Sequence, residues 1–168
     1  GGTPSLLDAA DLEYLLQTVC KTHSLEEDPE VTLEANPDDL SYQKLADLKG
    51  LGINRLSIGV QSFDDHILRY LHRAHNAETA LNSVERSRKA GFDNISIDLI
   101  YAIPGLSTEN WIKHIDRAKS LKPEHISAYT LTIEEKTTFG KWLASGKLRP
   151  VDEALAAIQQ EVLMERMN

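Results

Sequence analysis

Gly52-Ile53-Asn54-Arg55-Leu56-Ser57-Ile58 lines up with Gly91-Phe92-Asp93-Asn94-Ile95-Ser96-Ile97, and this alignment decides the fold class. Each copy runs from a glycine through a polar bend into a short β-forming core. Ile126-Ser127 echoes that core. A helix-ending glycine or proline stands shortly before each strand. A helix end that leads into a strand, again and again, is the pattern of repeated β/α units.

Outward from these copies the same alternation holds. Leu12, Leu15, Leu16, Val19 and Cys20 form an apolar stripe that predicts a helix from residue 5 or 8 to 22. Val31, Thr32 and Leu33 predict a strand over 30–35, ended by the turn cluster Asn36-Pro37-Asp38-Asp39. Ser41 caps a helix that runs through Leu48 and that Gly50 closes. A strand over 55–60 and a short helix over 64–71 follow. Asn76 caps a helix over 77–90, with Gly91 at its end, before a strand over 95–101. Pro104-Gly105 breaks the chain. Ser107 then caps a helix carrying Trp111, Ile112, Ile115 and Ala118, stopped near Lys122-Pro123. A strand over 125–131, a short helix over 139–145 and a final helix starting near Pro150 complete the reading. The order predicts an α/β fold of parallel strands with crossover helices, a (β/α) barrel or part of one. A doubly wound open sheet is the alternative.

The 168 residues are 41% hydrophobic and 26% charged, which describes one ordinary globular domain. No apolar run spans a bilayer and no signal peptide opens the chain, so a cytoplasmic protein is expected. The formal net charge of −8 argues against a nucleic-acid partner. Cys20 is the one cysteine, so neither an internal disulfide nor a thiolate metal cage is available. Its place in the apolar stripe predicts a buried core thiol. The chain opens on Gly1 without an initiator methionine and closes at Asn168 inside a helical pattern; it reads as cut at both ends.

In parallel α/β folds ligands bind at the C-terminal ends of the strands. Those ends carry Glu34 and Asn36, then Gln61 and Ser62, then Asp98 and Tyr101, then Tyr129, Thr130 and Thr132, all expected to converge on one mouth. Asp98 lies in an otherwise apolar strand. It is either half of a core ion pair or an acceptor for a ligand hydroxyl such as a ribose. Glu34 suits a ligand ammonium or a nearby arginine, and otherwise solvent. Gln61 can offer its amide to a ligand or tie down a loop. Arg73 suits a ligand carboxylate, or is a solvated helix-end charge. Gly1-Gly2-Thr3 brings backbone N–H groups toward a helix, which suits an anionic or zwitterionic group. His72 and His75 share a helical spacing, but no carboxylate or cysteine completes a metal set. They read as surface or capping histidines, and His66 and His125 are no stronger. No catalytic residue and no metal ligand is assigned.

Taken in order, these segments resemble one family. Gly1-Gly2-Thr3-Pro4-Ser5 resembles the end of a GGGTPS motif, and Glu34-Ala35-Asn36-Pro37 an E-x-N-P motif. Arg55-Leu56-Ser57-Ile58-Gly59-Val60-Gln61-Ser62-Phe63 resembles R-x-S-x-G-x-Q-S-F. Leu71-His72-Arg73-Ala74-His75 resembles L-x-R-x-H, and Asp98-Leu99-Ile100-Tyr101-Ala102-Ile103-Pro104-Gly105 resembles D-L-I-Y-G-x-P-G. The family is the radical SAM group around oxygen-independent coproporphyrinogen III oxidase and its heme-chaperone relatives. The stretch from His125 to Glu134, with Thr137, is closer to the heme-chaperone (HemW) branch.

The resemblance implies a partial barrel holding S-adenosylmethionine (SAM) and a [4Fe–4S] cluster on a CxxxCxxC loop. Electron transfer to SAM would yield a 5′-deoxyadenosyl radical. The oxidase branch would decarboxylate coproporphyrinogen in porphyrin biosynthesis; the chaperone branch would bind heme and pass it to acceptor proteins. It implies that Gly1, Gly2, Thr3 and Glu34 contact the methionine part of SAM. Gln61, Arg73 and Asp98 would belong to a second SAM site or its remnant. Three departures stand out. The cysteine loop is absent, so no radical chemistry is expected of this chain by itself. Ala102 replaces the usual glycine, restricting the backbone there. The C-terminal domain is absent too. Residues 1–168 are thus expected to be the central part of a radical SAM core domain. A cluster-free binding or scaffold domain is the remaining alternative.

Overall fold

The computed structural model describes residues 3–167; Gly1 and Gly2, expected above to meet a ligand, lie outside the described residues. Four strands, β1 (Thr32–Ala35), β2 (Arg55–Gln61), β3 (Asn94–Tyr101) and β4 (His125–Thr130), form one parallel sheet in sequence order. The helices are α1 (Ala9–Thr22), α2 (Tyr42–Gly50), α3 (Asp65–Tyr70), α4 (Ala77–Lys89), α5 (Thr108–Ser120), α6 (Thr138–Ala144) and α7 (Glu153–Met167). Asp8, Ser41, Asp64, Asn76, Ser107 and Thr137 each cap the helix that follows, their side-chain oxygens accepting first-turn N–H groups.

Successive strand side chains point to opposite faces of a sheet. Leu33, Leu56, Ile58, Ile95, Ile97 and Leu99 are buried on one face, in a core completed by helix residues such as Leu45, Leu48, Val84, Trp111 and Ile115. The alternate positions are Glu34 on β1, Ser57 and Gly59 on β2, Ser96 and Asp98 on β3 and Ser127 on β4. Glu34 stands opposite Ser57, Ser57 opposite Ser96, and Asp98 opposite Ser127. The sheet therefore has one apolar face under the helices and one face of small and acidic groups.

The two aligned repeats have a common geometry. Gly52 and Gly91 both take φ +86, three residues before their strands. Ile53 N–H donates to Leu48 O and Phe92 N–H to Ser87 O, so each glycine turns its helix end by the same hydrogen-bonded motif. Gly50, expected to close α2, lies in its last turn instead; the left-handed residue is Gly52. In the third unit Lys122 takes this place at φ +50. Pro123 follows it and has no N–H to repeat the bond. Arg88 supports that turn from α4, its Nη2 donating to Lys122 O at 2.8 Å and to Glu124 Oε2 at 2.8 Å.

Two helix expectations need correction. Cys20 is exposed, not buried. Of its stripe Leu12 is buried, at 5% exposure, while Leu15 and Val19 are about half exposed, at 50% and 46%. The described residues place no layer over that side of α1. The last helix begins at Glu153 rather than at Pro150 because Asp152 Oδ1 accepts the Leu155 N–H and sets its start. Among the described residues no helix is long and apolar enough to cross a membrane.

Candidate ligand-binding site

A cavity of about 160 Å³ opens at the ends of β1 and β2 and against β3, and Thr3, Glu34, Gln61, Arg73 and Asp98 all line it. Asn36, Ser57 and Gly59 complete its polar wall. Thr3 and Glu34 from one of the two groups that the family resemblance implies thus share one space with Gln61, Arg73 and Asp98 from the other.

Backbone irregularity aims Gln61. The β2–β3 register slips between Ile58 and Gln61, and Gln61 takes φ +65. A bulge at a strand end re-aims a side chain in this way. Gly59 leaves the room. A Cβ there would lie 2.9 Å from Gln61 Nε2 and 3.4 Å from Arg73 Nη2. Arg73 donates from Nη2 to Asn36 Oδ1 and, at 3.5 Å, to Gly59 O. Burial pulls its pKa below the usual arginine value against the carboxylates of Asp38 and Asp39, which raise it.

Asp98 receives the Ser57 hydroxyl at 3.2 Å from each carboxylate oxygen. Burial raises its pKa most, hydrogen bonds from Ser57 and Ser127 lower it, and the charge of Glu34 raises it further. The core ion pair considered for Asp98 is not among the described contacts. Its partners are hydroxyls, which leaves acceptor capacity for the cavity. The site therefore offers carboxylate acceptors (Asp98, Glu34), an amide (Gln61) and a guanidinium (Arg73). That donor set suits a molecule carrying hydroxyls, an ammonium and a carboxylate.

Several residues expected at the mouth lie elsewhere. Ser62 is fully buried, its Oγ 3.5 Å from His114 Nδ1. Tyr101 packs in the core against Trp111, ring centroids 5.5 Å apart. Tyr129, Thr130 and Thr132 are exposed and do not line the cavity, because β4 contributes past the edge of the enclosed space. His75, expected at the surface or as a cap, is 5% exposed, because the turn after α3 folds back beneath the end of β2. His72 is exposed and packs on Trp142 at 5.1 Å. Among the described residues no three His, Cys, Asp or Glu side chains are grouped to hold a metal. Ser57 and Gly59 stand in the R-x-S-x-G-x-Q-S-F segment, but the sequence assigned them no place at the site. Their signal was the two-residue alternation Ser57, Gly59, Gln61 on one strand.

The sequence profile of the radical SAM superfamily matches residues 1–118. The chain belongs to the radical SAM superfamily. It is 39% identical over 169 residues to "Heme chaperone HemW" of Bacillus subtilis, covering 100% of this chain and 45% of that protein. It is 41% identical to the protein of the same name from Lactococcus lactis, covering 98% of this chain and 44% of that one. The radical SAM enzyme coproporphyrinogen III oxidase (HemN) of Escherichia coli superposes with a TM-score of 0.80 at 27% identity, over 98% of this chain and 38% of that one. The chain spans less than half the length of these relatives. Its sheet is parallel and carries helices on one face, as the superposition on that enzyme requires.

Superfamily membership implies SAM and an iron–sulfur cluster, and the two fit this chain unequally. The polar cavity, with Gly59 keeping its floor free of a Cβ, fits part of a SAM molecule. Thiolate ligation of a cluster does not fit: Cys20 is the chain's one cysteine and lies on α1, away from the cavity.

Proposed function

We propose that this chain is the central part of the SAM-binding core of a heme-chaperone-like radical SAM protein. The observation that carries the reading is the meeting of Thr3, Glu34, Gln61, Arg73 and Asp98 at one cavity. In this reading Glu34 receives the SAM ammonium, Arg73 meets its carboxylate, and Asp98 and Gln61 hydrogen-bond the ribose hydroxyls. Gly1 and Gly2 belong to the same set through the GGGTPS-like motif. SAM, when bound beside a reduced cluster, supplies a 5′-deoxyadenosyl radical. This chain's residues bind and orient it, while cluster ligands come from outside the 168 residues. In this reading the parent protein carries heme to acceptor proteins, and its support is the name heme chaperone borne by two of its relatives.

The test has two parts. Calorimetric titration of the chain with SAM should give saturable one-to-one binding, weakened at least tenfold by Asp98→Asn; absence of binding at millimolar SAM overturns the reading of the cavity. Titration of the longer parent with hemin should give a saturable shift of the heme absorption band, without turnover of coproporphyrinogen. A second reading, coproporphyrinogen oxidation, is favoured by the structural match to the oxidase. Robust decarboxylation by the parent would establish it instead.

A further inference from the structure

One buried side chain beneath the cavity has no part in the ligand contacts proposed above. His75 is 5% exposed and lies two residues after Arg73. Its Nε2 is 3.0 Å from the carbonyl oxygen of Val60. That carbonyl also accepts the Ser62 N–H at 2.7 Å. Gln61, held between Val60 and Ser62, takes φ +65. A left-handed glutamine is strained and persists only where its surroundings fix it. The Val60 carbonyl is where that fixing occurs, and His75 is one of its two donors.

We propose that His75 is a positioning residue of the cavity: its imidazole N–H holds the Val60–Gln61–Ser62 bend and so aims the Gln61 amide at the ligand. The segment from Arg73 to His75 then does two things at once. It supplies the cavity's guanidinium and braces the opposite amide. Donation from Nε2 leaves Nδ1 bare. Nδ1 has no hydrogen-bond partner in the structure, with Asp38 Oδ1 3.5 Å away. Burial lowers the imidazole pKa most and Arg73 lowers it further, against the Val60 carbonyl and Asp38. Burial thus favours the uncharged ring that this tautomer requires. The part of the proposal that concerns affinity rests on the SAM reading; the bend itself does not.

The experiment compares His75→Leu, which fills the space without a donor, with His75→Gln, whose amide reaches the same carbonyl. Amide hydrogen exchange at Ser62 and SAM titration are read in both. In His75→Leu, exchange at Ser62 should rise about tenfold and SAM affinity fall about tenfold, the scale of one lost hydrogen bond. Exchange at Leu56 and Ile58 should hold at wild-type rates. His75→Gln should restore both readings, and in a Gln61→Ala background His75→Leu should cause no further loss of affinity. Unchanged Ser62 exchange in His75→Leu, a uniform rise along β2, or failure of His75→Gln to restore protection would each overturn the proposal. Should His75→Leu not fold, His75→Asn, whose shorter amide stops short of Val60, takes its place. If the wild-type chain takes up no SAM, the ligand reading falls, and Ser62 exchange still decides the role of His75.

Discussion

Gln159 and Ala102, 57 positions apart, are joined by a hydrogen bond in which the Gln159 side-chain oxygen accepts the Ala102 N–H at 2.8 Å. The same amide donates from Nε2 to Leu106 O at 2.9 Å, and the Gln159 carbonyl accepts the Trp111 indole N–H at 2.9 Å. Gln159 is fully buried. Helix α7 is thereby pinned to the loop that follows β3. Gln159→Leu would leave the Ala102 N–H and Leu106 C=O buried without partners, each worth about 1–3 kcal/mol. Urea unfolding should show a loss of about 3 kcal/mol for this variant; a loss below about 1 kcal/mol would mean that water or a shifted loop replaces the amide.

Non-glycine residues in the left-handed region separate two effects. Lys122 is exposed at φ +50, where its two homologous positions are glycine. Lys122→Gly should stabilise the fold by about 1 kcal/mol, since a left-handed L-residue is strained by that order. Ala102 sits at φ +58, 2% exposed, where the family motif has glycine. There the relief is offset by the loss of a buried methyl worth about 0.8 kcal/mol. Ala102→Gly should therefore be near neutral in thermal unfolding. Equal effects at the two sites would show that burial of the methyl is irrelevant.

Asp98→Asn should raise stability while weakening SAM binding. The pKa of Asp98 is raised in the fold, so the folded state holds its proton more tightly than the unfolded chain does. Its ionised form therefore destabilises the fold at neutral pH, and this penalty disappears as pH falls below the unfolded carboxylate value of 3.8. Asparagine removes the charge and can still accept from Ser57. The melting temperature at pH 7 should rise, and the gain should shrink toward pH 4. A lower melting temperature at pH 7 would return Asp98 to a purely structural role.

Acid should act through two buried histidines before it acts on the carboxylates. Burial lowers the pKa of both His75 and His114 below 6.5. The unfolded chain therefore binds protons that the fold excludes, and stability falls as pH drops below 6.5 toward the folded values. Glu109 and Glu124 have lowered pKa values, so their contribution is lost only below 4.5. Unfolding free energy measured from pH 7.5 to 5 should decline, and a His75→Gln, His114→Gln double variant should flatten the curve. An unchanged slope in that variant would place the proton uptake elsewhere.

The repeat containing Gly52 and Gly91 carried the fold in the sequence because a left-handed turn before a strand admits few residues other than glycine. The third copy was fainter for the same reason: Lys122 and Pro123 make the turn without the signature, with Arg88 supporting it from another helix. Glu34, Gln61, Arg73 and Asp98 were legible as strand-end and motif residues. Ser57 was visible as a motif letter but not as a site residue, because its role is to donate to Asp98 on the neighbouring strand. His75 read as a surface or capping residue because its burial depends on the return of a turn beneath β2. Gln159 was invisible: a polar residue in a helix of mixed composition shows nothing of the three hydrogen bonds it makes once packed.

Each strand of the sheet pairs only with the strands adjacent to it in sequence. A chain emerging from the ribosome can therefore add one unit at a time. β2 can find β1 already made and β3 can find β2, so among the described strands none waits for a distant partner. Long-range pairing is what slows parallel sheets and exposes them to aggregation. The strand order thus lets assembly follow synthesis, and the clasp of Gln159 on the β3 loop can close only after the four strands have left the tunnel.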